Sequence, residues 1–260
     1  MAKHPTKPPI AIVGMSALFP GSSELEGYWS DILRGKDMIR EVPENYWLVD
    51  DYYDPDPSAP DKTYCKRGGF LDKLDFDPVA FGIPPSLLPT TDTAQLLALV
   101  MAKRVLEDTC QGDFSEMKRD KVSVFLGVAA GLELLGQMAS RLQRPIWVKA
   151  MREAGLPETE VQDLCDRITG HFAEWKESTF PGLLGNVVAG RVANRFDLGG
   201  TNCTTDAACA SSLSALSVGI NELYLGDSDL VLAGGVDATN DPFLFMCFSK
   251  TPALSATGDC

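Results

Sequence analysis

The 260-residue sequence lacks the long apolar runs and the basic charge that mark two large classes of protein. No stretch approaches the roughly 20 consecutive apolar residues that span a bilayer, and residues 1–9 lack the apolar core of a signal peptide. The 36 Asp and Glu outnumber the 23 Lys and Arg, and the resulting net charge of -13 repels a phosphate backbone. We therefore expect a cytoplasmic protein with no membrane span and no nucleic-acid partner.

Cysteine pairs are also missing. The seven cysteines are odd in number and scattered, and no two of them form a C-x-x-C pair. We therefore expect neither a disulfide framework nor a metal site, and most of these cysteines fit the role of small core residues.

Motifs of several common enzyme classes are absent as well. The sequence contains no G-x-S-x-G elbow, no G-x-x-x-x-G-K-[ST] loop, no G-x-G-x-x-G after a strand and no H-E-x-x-H. Hydrolase, nucleotide-hydrolysing, dinucleotide-binding and zinc-protease functions lose their support. Only two histidines occur, His4 in a Pro-rich leader over residues 1–9 and His171. We predict that His171 lies on a helix surface and is not a catalytic base.

Apolar patterning predicts an α/β protein. Runs at Ile10–Ser16 and Val122–Val128 are typical of strands buried on both faces. Helical spacing predicts a core-facing helix that begins at Ser22 or Ser23 and ends at Gly35, and a long helix over residues 90–108.

Two other segments carry weaker signals. Residues 41–61 are acidic and Pro-rich and contain no Lys or Arg, so a solvated loop fits them better than an acidic docking patch. Residues 146–175 predict two amphipathic helices that break at Gly155-Leu156-Pro157, and we interpret them as an insertion on an α/β core.

The last hundred residues predict a strand, a tight corner, a helix and another strand. The strands are Thr201–Thr205 and Asp229–Asp237, and the helix runs from Cys209 to Gly226. This order implies a right-handed parallel crossover and a sheet with helices on both faces. A glycine-punctuated loop, Phe180–Asn186, precedes it.

Cys209 differs from the other cysteines because it follows a predicted strand at the first turn of a predicted helix. Unpaired N–H groups and the positive end of the helix dipole favour a thiolate there and can receive the oxygen of a tetrahedral intermediate. The flanking Ala207, Ala208 and Ala210 leave room for an extended acyl substrate. A buried cysteine in an Ala-rich helix start is the alternative that the local sequence leaves open.

Several separated blocks resemble the N-terminal part of a β-ketoacyl synthase domain of a type I polyketide synthase. They are Ile10–Met15 with Phe19–Gly21, Tyr52–Pro57 with Gly68–Leu71 and Phe76–Asp77, and Thr205–Ser212 around the cysteine. Three further blocks look more like the enediyne and polyunsaturated-fatty-acid synthase branch, namely Asp92–Gln95, Phe180–Asn186 and Ser249–Ser255. The resemblance covers residues 10–260.

The resemblance implies a thiolase-like fold with α-β-α-β-α layers. This chain would be the N-terminal half plus an insertion, with the C-terminal half largely absent, and it would form a homodimer through the strand at Thr201–Thr205. Cys209 would take an acyl group from the phosphopantetheine thioester of an acyl carrier protein, its own N–H forming part of the oxyanion hole. A carrier-bound malonyl unit would then be decarboxylated and condensed onto that acyl group. No bound cofactor is implied.

The resemblance also implies a set of substrate-binding residues that shape an acyl tunnel. They are Phe180, Gly182, Leu183, Gly185, Asn186, Ala208 and Ala210. The family's two catalytic histidines, its lysine and its glycine-rich loop would lie beyond Cys260, so the remaining half of the domain is an expected partner. We expect no condensation by residues 1–260 alone.

Two alternatives to a condensing enzyme stay open. A chain-length-factor-like or acyl-binding subunit would dimerise without condensing, but such members typically replace the nucleophile, and Cys209 is present. A degradative thiolase is a more distant alternative. Basic residues cluster at Lys66-Arg67 and at Arg141, Arg144, Lys149 and Arg152. These clusters can steer an acidic carrier protein, and scattered surface charge is the competing interpretation.

Overall fold

The computed structural model describes residues 7–129 and 132–259, which divide into two compact units. Among the described residues, the first unit contains 7–10, 76–100, 117–129 and 132–237, and the second contains 11–75, 101–116 and 238–259. The predicted leader lies outside the described residues up to residue 6, and so do His4 and Cys260.

The described residues form five strands and ten α-helices. The strands are β1 Arg40–Glu41, β2 Arg67–Gly68, β3 Val122–Gly127, β4 Asn202–Thr205 and β5 Leu230–Gly235. The helices are α1 Leu25–Leu33, α2 Val49–Tyr52, α3 Thr93–Thr109, α4 Leu132–Arg141, α5 Arg144–Glu153, α6 Glu158–Gly170, α7 Thr179–Leu183, α8 Val187–Phe196, α9 Ser211–Leu225 and α10 Pro242–Lys250. Two 3₁₀ turns span Pro85–Thr90 and Ala208–Ala210.

A parallel sheet of order β4-β3-β5 organises the first unit. Val124 of β3 lies opposite Asn202 of β4 and Leu232 of β5. The predicted strands at 122–128, 201–205 and 229–237 are therefore confirmed. Because β3 lies between the other two strands, the connection from β4 through α9 to β5 passes over β3.

Helices pack on both faces of this sheet, as predicted. A Cβ added to Gly219 of α9 would lie 3.5 Å from Phe125, and one added to Gly190 of α8 would lie 3.5 Å from Asn202. Asn202 shares a face with its register partner Val124. Since Val124 and Phe125 point to opposite faces of β3, α8 and α9 lie on opposite sides.

Helix α9 approaches the sheet closely because its inner face is made of small residues. Ala215 and Gly219 are buried. The larger side chains Leu213 and Leu225 point away from the sheet and are 72% and 75% exposed.

An aromatic cluster forms the core of the second unit. Trp47 packs edge-on against Phe245 at 5.1 Å between ring centroids, and Phe70 and Val42 are buried with them. The indole N–H of Trp47 donates to the Asn240 carbonyl, so the ring is buried without a lost hydrogen bond.

The expectation of a solvated loop over residues 41–61 is therefore wrong in part. The named elements within the segment are Glu41 at the end of β1 and the short helix α2, but the segment contributes Val42 and Trp47 to the core. The acidic, Pro-rich composition of the segment does not reveal this, because two apolar side chains are enough to anchor an irregular segment to a core.

The predicted N-terminal strand at Ile10–Ser16 is wrong for this structure. No strand forms there, and Ile12 and Met15 are 81% and 55% exposed. A strand needs a neighbouring backbone to complete its hydrogen bonds. This segment contacts a side chain of α3 instead, because the Met15 N–H donates to the carboxylate of Asp108.

The predicted helices form, with some changes at their ends and faces. Helix α1 has Glu24 rather than Ser22 or Ser23 as its N-terminal cap, and it buries none of its residues, so the core-facing prediction is wrong. Helix α3 starts after a 3₁₀ turn, while α5 and α6 break at residues 154–157 as predicted.

Asp92 accepts hydrogen bonds at the start of two helices. Its carboxylate accepts from Ala94 N–H of α3 at 3.0 Å and from Leu134 N–H of α4 at 3.4 Å. Burial raises the pKa of Asp92, whereas the two hydrogen bonds oppose that shift. The carboxylate thus accepts hydrogen bonds from N–H groups in the first turns of two helices, which otherwise lack partners. The burial of its charge is unfavourable and opposes this gain.

The substitution Asp92→Asn should become less destabilising as pH rises. Because the folded-state pKa of Asp92 is raised, the stability contributed by this carboxyl is present below its unfolded pKa and is lost as pH rises through the folded pKa. We expect the free energy of unfolding of the variant to rise relative to wild type from about pH 4 to pH 7, measured by urea unfolding.

Asp113→Asn is the matched control, because hydrogen bonds from Ser115 lower the pKa of Asp113. The free energy of unfolding of Asp113→Asn should fall relative to wild type as pH rises over the same range. A pH-independent difference for Asp92→Asn would contradict the interpretation.

Candidate active site

Cys209 lies on the exposed 3₁₀ turn Ala208–Ala210, between β4 and α9. The sequence predicted the first turn of an α-helix, but α9 begins two residues later, at Ser211. The corner is therefore tighter than predicted, and the alternative of a buried cysteine is wrong.

The residue before the cysteine has a backbone conformation that sequence analysis missed. Ala208 has a φ of 50°, in the left-handed region. This conformation costs an alanine about 1–2 kcal/mol, so the surrounding structure must hold it. The missed signal is Asp206, because an Asp before a tight corner accepts a hydrogen bond from an N–H two residues on.

Side-chain hydrogen bonds fix the turn on both sides. Asp206 accepts from Ala208 N–H at 3.0 Å. The Ser211 hydroxyl accepts from Ala207 N–H at 2.9 Å and donates to the Ala208 carbonyl at 2.7 Å. Thr205, the last residue of β4, donates to the Ser211 carbonyl at 3.1 Å.

Glycines at the ends of two strands let the start of α9 rest on the sheet. A Cβ on Gly127 of β3 would lie 2.5 Å from the Ser211 carbonyl carbon, and one on Gly235 of β5 would lie 2.1 Å from the Ser212 hydroxyl. Any larger residue would push the first turn of α9, and with it Cys209, away from the sheet.

Cys209 itself is free of internal partners. Across residues 7–129 and 132–259, neither its N–H nor its thiol has a hydrogen-bond partner. Cys65 and Cys165 are buried, and burial raises the pKa of the Cys203 thiol, with the charge of Glu222 acting in the same direction. Cys209 thus combines an exposed thiol with a backbone N–H that has no partner among the described residues.

The predicted loop Phe180–Asn186 is partly helical. Phe180, Gly182 and Leu183 belong to α7, whereas Gly185 and Asn186 lie between α7 and α8. Phe180 is 67% exposed. Gly182 is buried, and a Cβ there would lie 1.7 Å from the Thr90 carbonyl oxygen, so it serves close packing.

The two groups of predicted site residues occupy separate places in the first unit. Ala208 and Ala210 flank Cys209 on its turn, whereas Phe180–Asn186 precede α8. Helix α8 packs against β4, the strand that leads to the cysteine. A part in binding an acyl chain stays a prediction for all seven residues.

A buried Gln95 connects α7 to α3 and α8, which sequence analysis also missed. Its amide N–H group donates to the carbonyls of Pro181 and Gly182, both at 2.9 Å, and its oxygen accepts from Arg191 at 2.8 Å. Burial lowers the pKa of Arg191. One side chain of α3 therefore fixes the backbone of the predicted acyl-binding segment.

His171 caps the C-terminus of α6 and is exposed, in accord with the prediction of a surface residue. No metal-binding group of three or more His, Cys, Asp or Glu occurs in residues 7–129 and 132–259. No helix in that part of the chain is both long and apolar enough to cross a membrane.

Internal acidic or carbonyl partners engage most of the predicted basic clusters. Arg141 donates to the Phe172 carbonyl, and Arg144 pairs with Asp166 at 2.8 Å. Hydrogen bonds from Arg152 lower the pKa of Glu158 to about 2, with Gln162 contributing. These contacts favour distributed surface charge over a basic docking face.

The chain is similar to a known family and to two kinds of synthase. The family model described as "Beta-ketoacyl synthase, N-terminal domain" matches residues 7–260. A polyunsaturated fatty acid synthase of Thraustochytrium is 38% identical over 246 residues, which are 95% of this chain and 9% of the relative. The polyketide synthase GfsA of Streptomyces halstedii is 32% identical over 262 residues, 100% of this chain and 3% of the relative.

Two solved structures with a similar architecture are ketosynthase domains. The oxazolomycin ketosynthase domain OzmH KS7 of Streptomyces albus JA3453 has a TM-score of 0.76 and 28% identity, covering 96% of this chain and 39% of that chain. The ketosynthase from module 6 of the bacillaene synthase of Bacillus subtilis 168 has a TM-score of 0.69 and 26% identity, covering 95% and 35%. The predicted thiolase-like fold is thereby confirmed.

Gln95→Leu should destabilise the protein by about 1–3 kcal/mol, because it leaves buried donors and acceptors without partners. Urea unfolding measures the cost. Gln143→Leu is the control, since the Gln143 side-chain amide makes a single exposed 3.4 Å hydrogen bond, to Ala139, among the described residues. It should cost no more than about 0.5 kcal/mol. Equal costs for the two variants would contradict the role of Gln95.

Proposed function

The chain belongs to the β-ketoacyl synthase family, and from this premise we propose that it takes part in decarboxylative Claisen condensation in polyketide or polyunsaturated fatty acid synthesis. The observation that carries the proposal is Cys209, exposed on a tight turn with its N–H unpaired among the described residues. Non-condensing members of the family typically replace the nucleophile, whereas Cys209 is present in this chain.

In the first half-reaction the Cys209 sulfur bonds to the carbonyl carbon of an acyl thioester. The thioester is carried on the phosphopantetheine arm of an acyl carrier protein, which is a substrate and not a bound cofactor. The carbon–sulfur bond to the arm breaks, and the departing thiolate takes up the proton that the Cys209 thiol has given up. The Cys209 N–H donates to the oxyanion of the tetrahedral intermediate, which is the atom where negative charge develops.

In the second half-reaction a carrier-bound malonyl unit loses CO₂ and becomes an enolate. The enolate carbon attacks the acyl carbon, a carbon–carbon bond forms, and the bond to the Cys209 sulfur breaks. The same N–H again faces the developing oxyanion. The acyl chain would lie along the exposed alanines of the turn and the segment Phe180–Asn186.

Cys209→Ala should abolish acylation and condensation in the intact protein, because the nucleophile is lost. We expect a loss of more than about a thousandfold, as removal of a nucleophile costs in other acyl-transfer enzymes. Mass spectrometry of the cysteine peptides measures acylation, and product analysis with malonyl-carrier protein measures condensation. Stability should change by no more than about 0.5 kcal/mol, since the side chain is exposed.

Cys247→Ala is the matched control, because Cys247 is the other exposed thiol among the described residues. It should keep full activity. Acyl label found mainly on Cys247, or condensation that survives Cys209→Ala, would overturn the proposed function.

We further propose a cytoplasmic homodimer that pairs through β4. The sheet order leaves the outer edge of β4 unpaired within the described residues. The carbonyls of Thr201 and Thr205 accept from β3, so by strand alternation the backbone groups of Asn202 and Thr204 point outward. A second copy can pair with this edge by two-fold symmetry.

Thr204→Pro should weaken the dimer, because it removes one outward N–H, whereas Thr204→Val keeps that N–H and should preserve the dimer. Light scattering after size-exclusion chromatography measures the mass. A Thr204→Pro protein that stays fully dimeric at the concentration at which the wild type dimerises would contradict pairing through β4.

A further inference from the structure

The hydroxyl of Ser211 holds the backbone on both sides of Ala208. It accepts from Ala207 N–H at 2.9 Å and donates to the Ala208 carbonyl at 2.7 Å. The backbone N–H of Ser211 donates to the same carbonyl. One residue therefore makes three of the hydrogen bonds that shape the turn before the cysteine.

The Ala208 carbonyl and the Cys209 N–H belong to the same peptide group. A peptide group is planar and trans, so its N–H points opposite to its C=O. The two hydrogen bonds from Ser211 fix the direction of the Ala208 carbonyl. They consequently also fix the direction of the Cys209 N–H, which points away from Ser211 and has no partner among the described residues.

From this geometry we propose that Ser211 is a positioning residue for acyl transfer, and that it acts by directing the Cys209 N–H toward the oxyanion. The inference rests on the proposed function, because an oxyanion forms only if Cys209 exchanges acyl groups. Ser211 does not touch the substrate. Ser211 acts on the reaction through the peptide group between Ala208 and Cys209. The orientation of this peptide group needs support because Ala208 is in a strained conformation.

Two reactions of the Cys209 thiol distinguish a positioning role of Ser211 from a general structural role. Transfer from an acyl thioester passes through a tetrahedral oxyanion, whereas alkylation by iodoacetamide displaces iodide and forms no oxyanion. In the intact protein, we expect Ser211→Ala to slow acylation of Cys209 by about tenfold or more, since loss of an oxyanion donor costs more than this. Alkylation should change by less than about twofold.

Two further variants complete the experiment. Ser211→Thr keeps a hydroxyl at the same position and should restore most of the acylation rate. Ser212→Ala is the matched control, because Ser212 is the next residue, is exposed and makes no side-chain hydrogen bond within the described residues. It should leave both rates unchanged. Equal slowing of acylation and alkylation by Ser211→Ala, or no slowing of either, would overturn the inference.

Hydrogen exchange tests the inference independently of the proposed function. Ser211→Ala should speed amide exchange in the peptide over residues 205–212, and Ser212→Ala should not. If wild-type Cys209 accepts no acyl group, the proposed function fails, and the exchange result still decides whether Ser211 holds the turn. Unchanged exchange in Ser211→Ala would overturn the inference by itself.

Discussion

The hydrogen bonds between Ser211 and the backbone around Ala208 are the interaction on which the candidate site depends. A left-handed alanine costs about 1–2 kcal/mol, and the turn persists because Asp206, Ser211 and Thr205 each contribute a side-chain hydrogen bond. The tight corner leaves Cys209 exposed and its N–H without a hydrogen-bond partner among the described residues. An α-helix that began directly after β4 would not need a left-handed alanine before the cysteine.

The sheet makes this turn possible. Strands β3 and β5 end in Gly127 and Gly235, and only residues without a Cβ allow the first turn of α9 to lie directly on these ends. Ala215 and Gly219 continue the close approach along the helix. The strands are parallel, so their carboxyl ends meet at one edge, which is where open α/β sheets usually bind ligands. The position of Cys209 thus follows from the packing of α9.

Much of this arrangement could be predicted from the sequence, and the reasons for the failures are physical. Apolar runs located β3 and β5, β-branched residues located β4, and the unusual position of Cys209 identified the nucleophile candidate. The Ile10–Ser16 strand was wrong because an apolar run does not reveal whether a neighbouring backbone is present. The parts played by Gln95 and Ser211 were missed because their partners are backbone carbonyls and amides, which leave no pattern of residue types.

The most direct test of the role of this turn is a crystal structure of the protein with an acyl group on Cys209. We predict that the acyl carbonyl oxygen lies about 2.7–3.1 Å from the Cys209 nitrogen, the distance expected for an oxyanion donor, with Ala208 still in the left-handed conformation. A carbonyl oxygen directed away from this N–H, or an Ala208 with negative φ, would contradict the claim that the turn prepares Cys209 for acyl transfer.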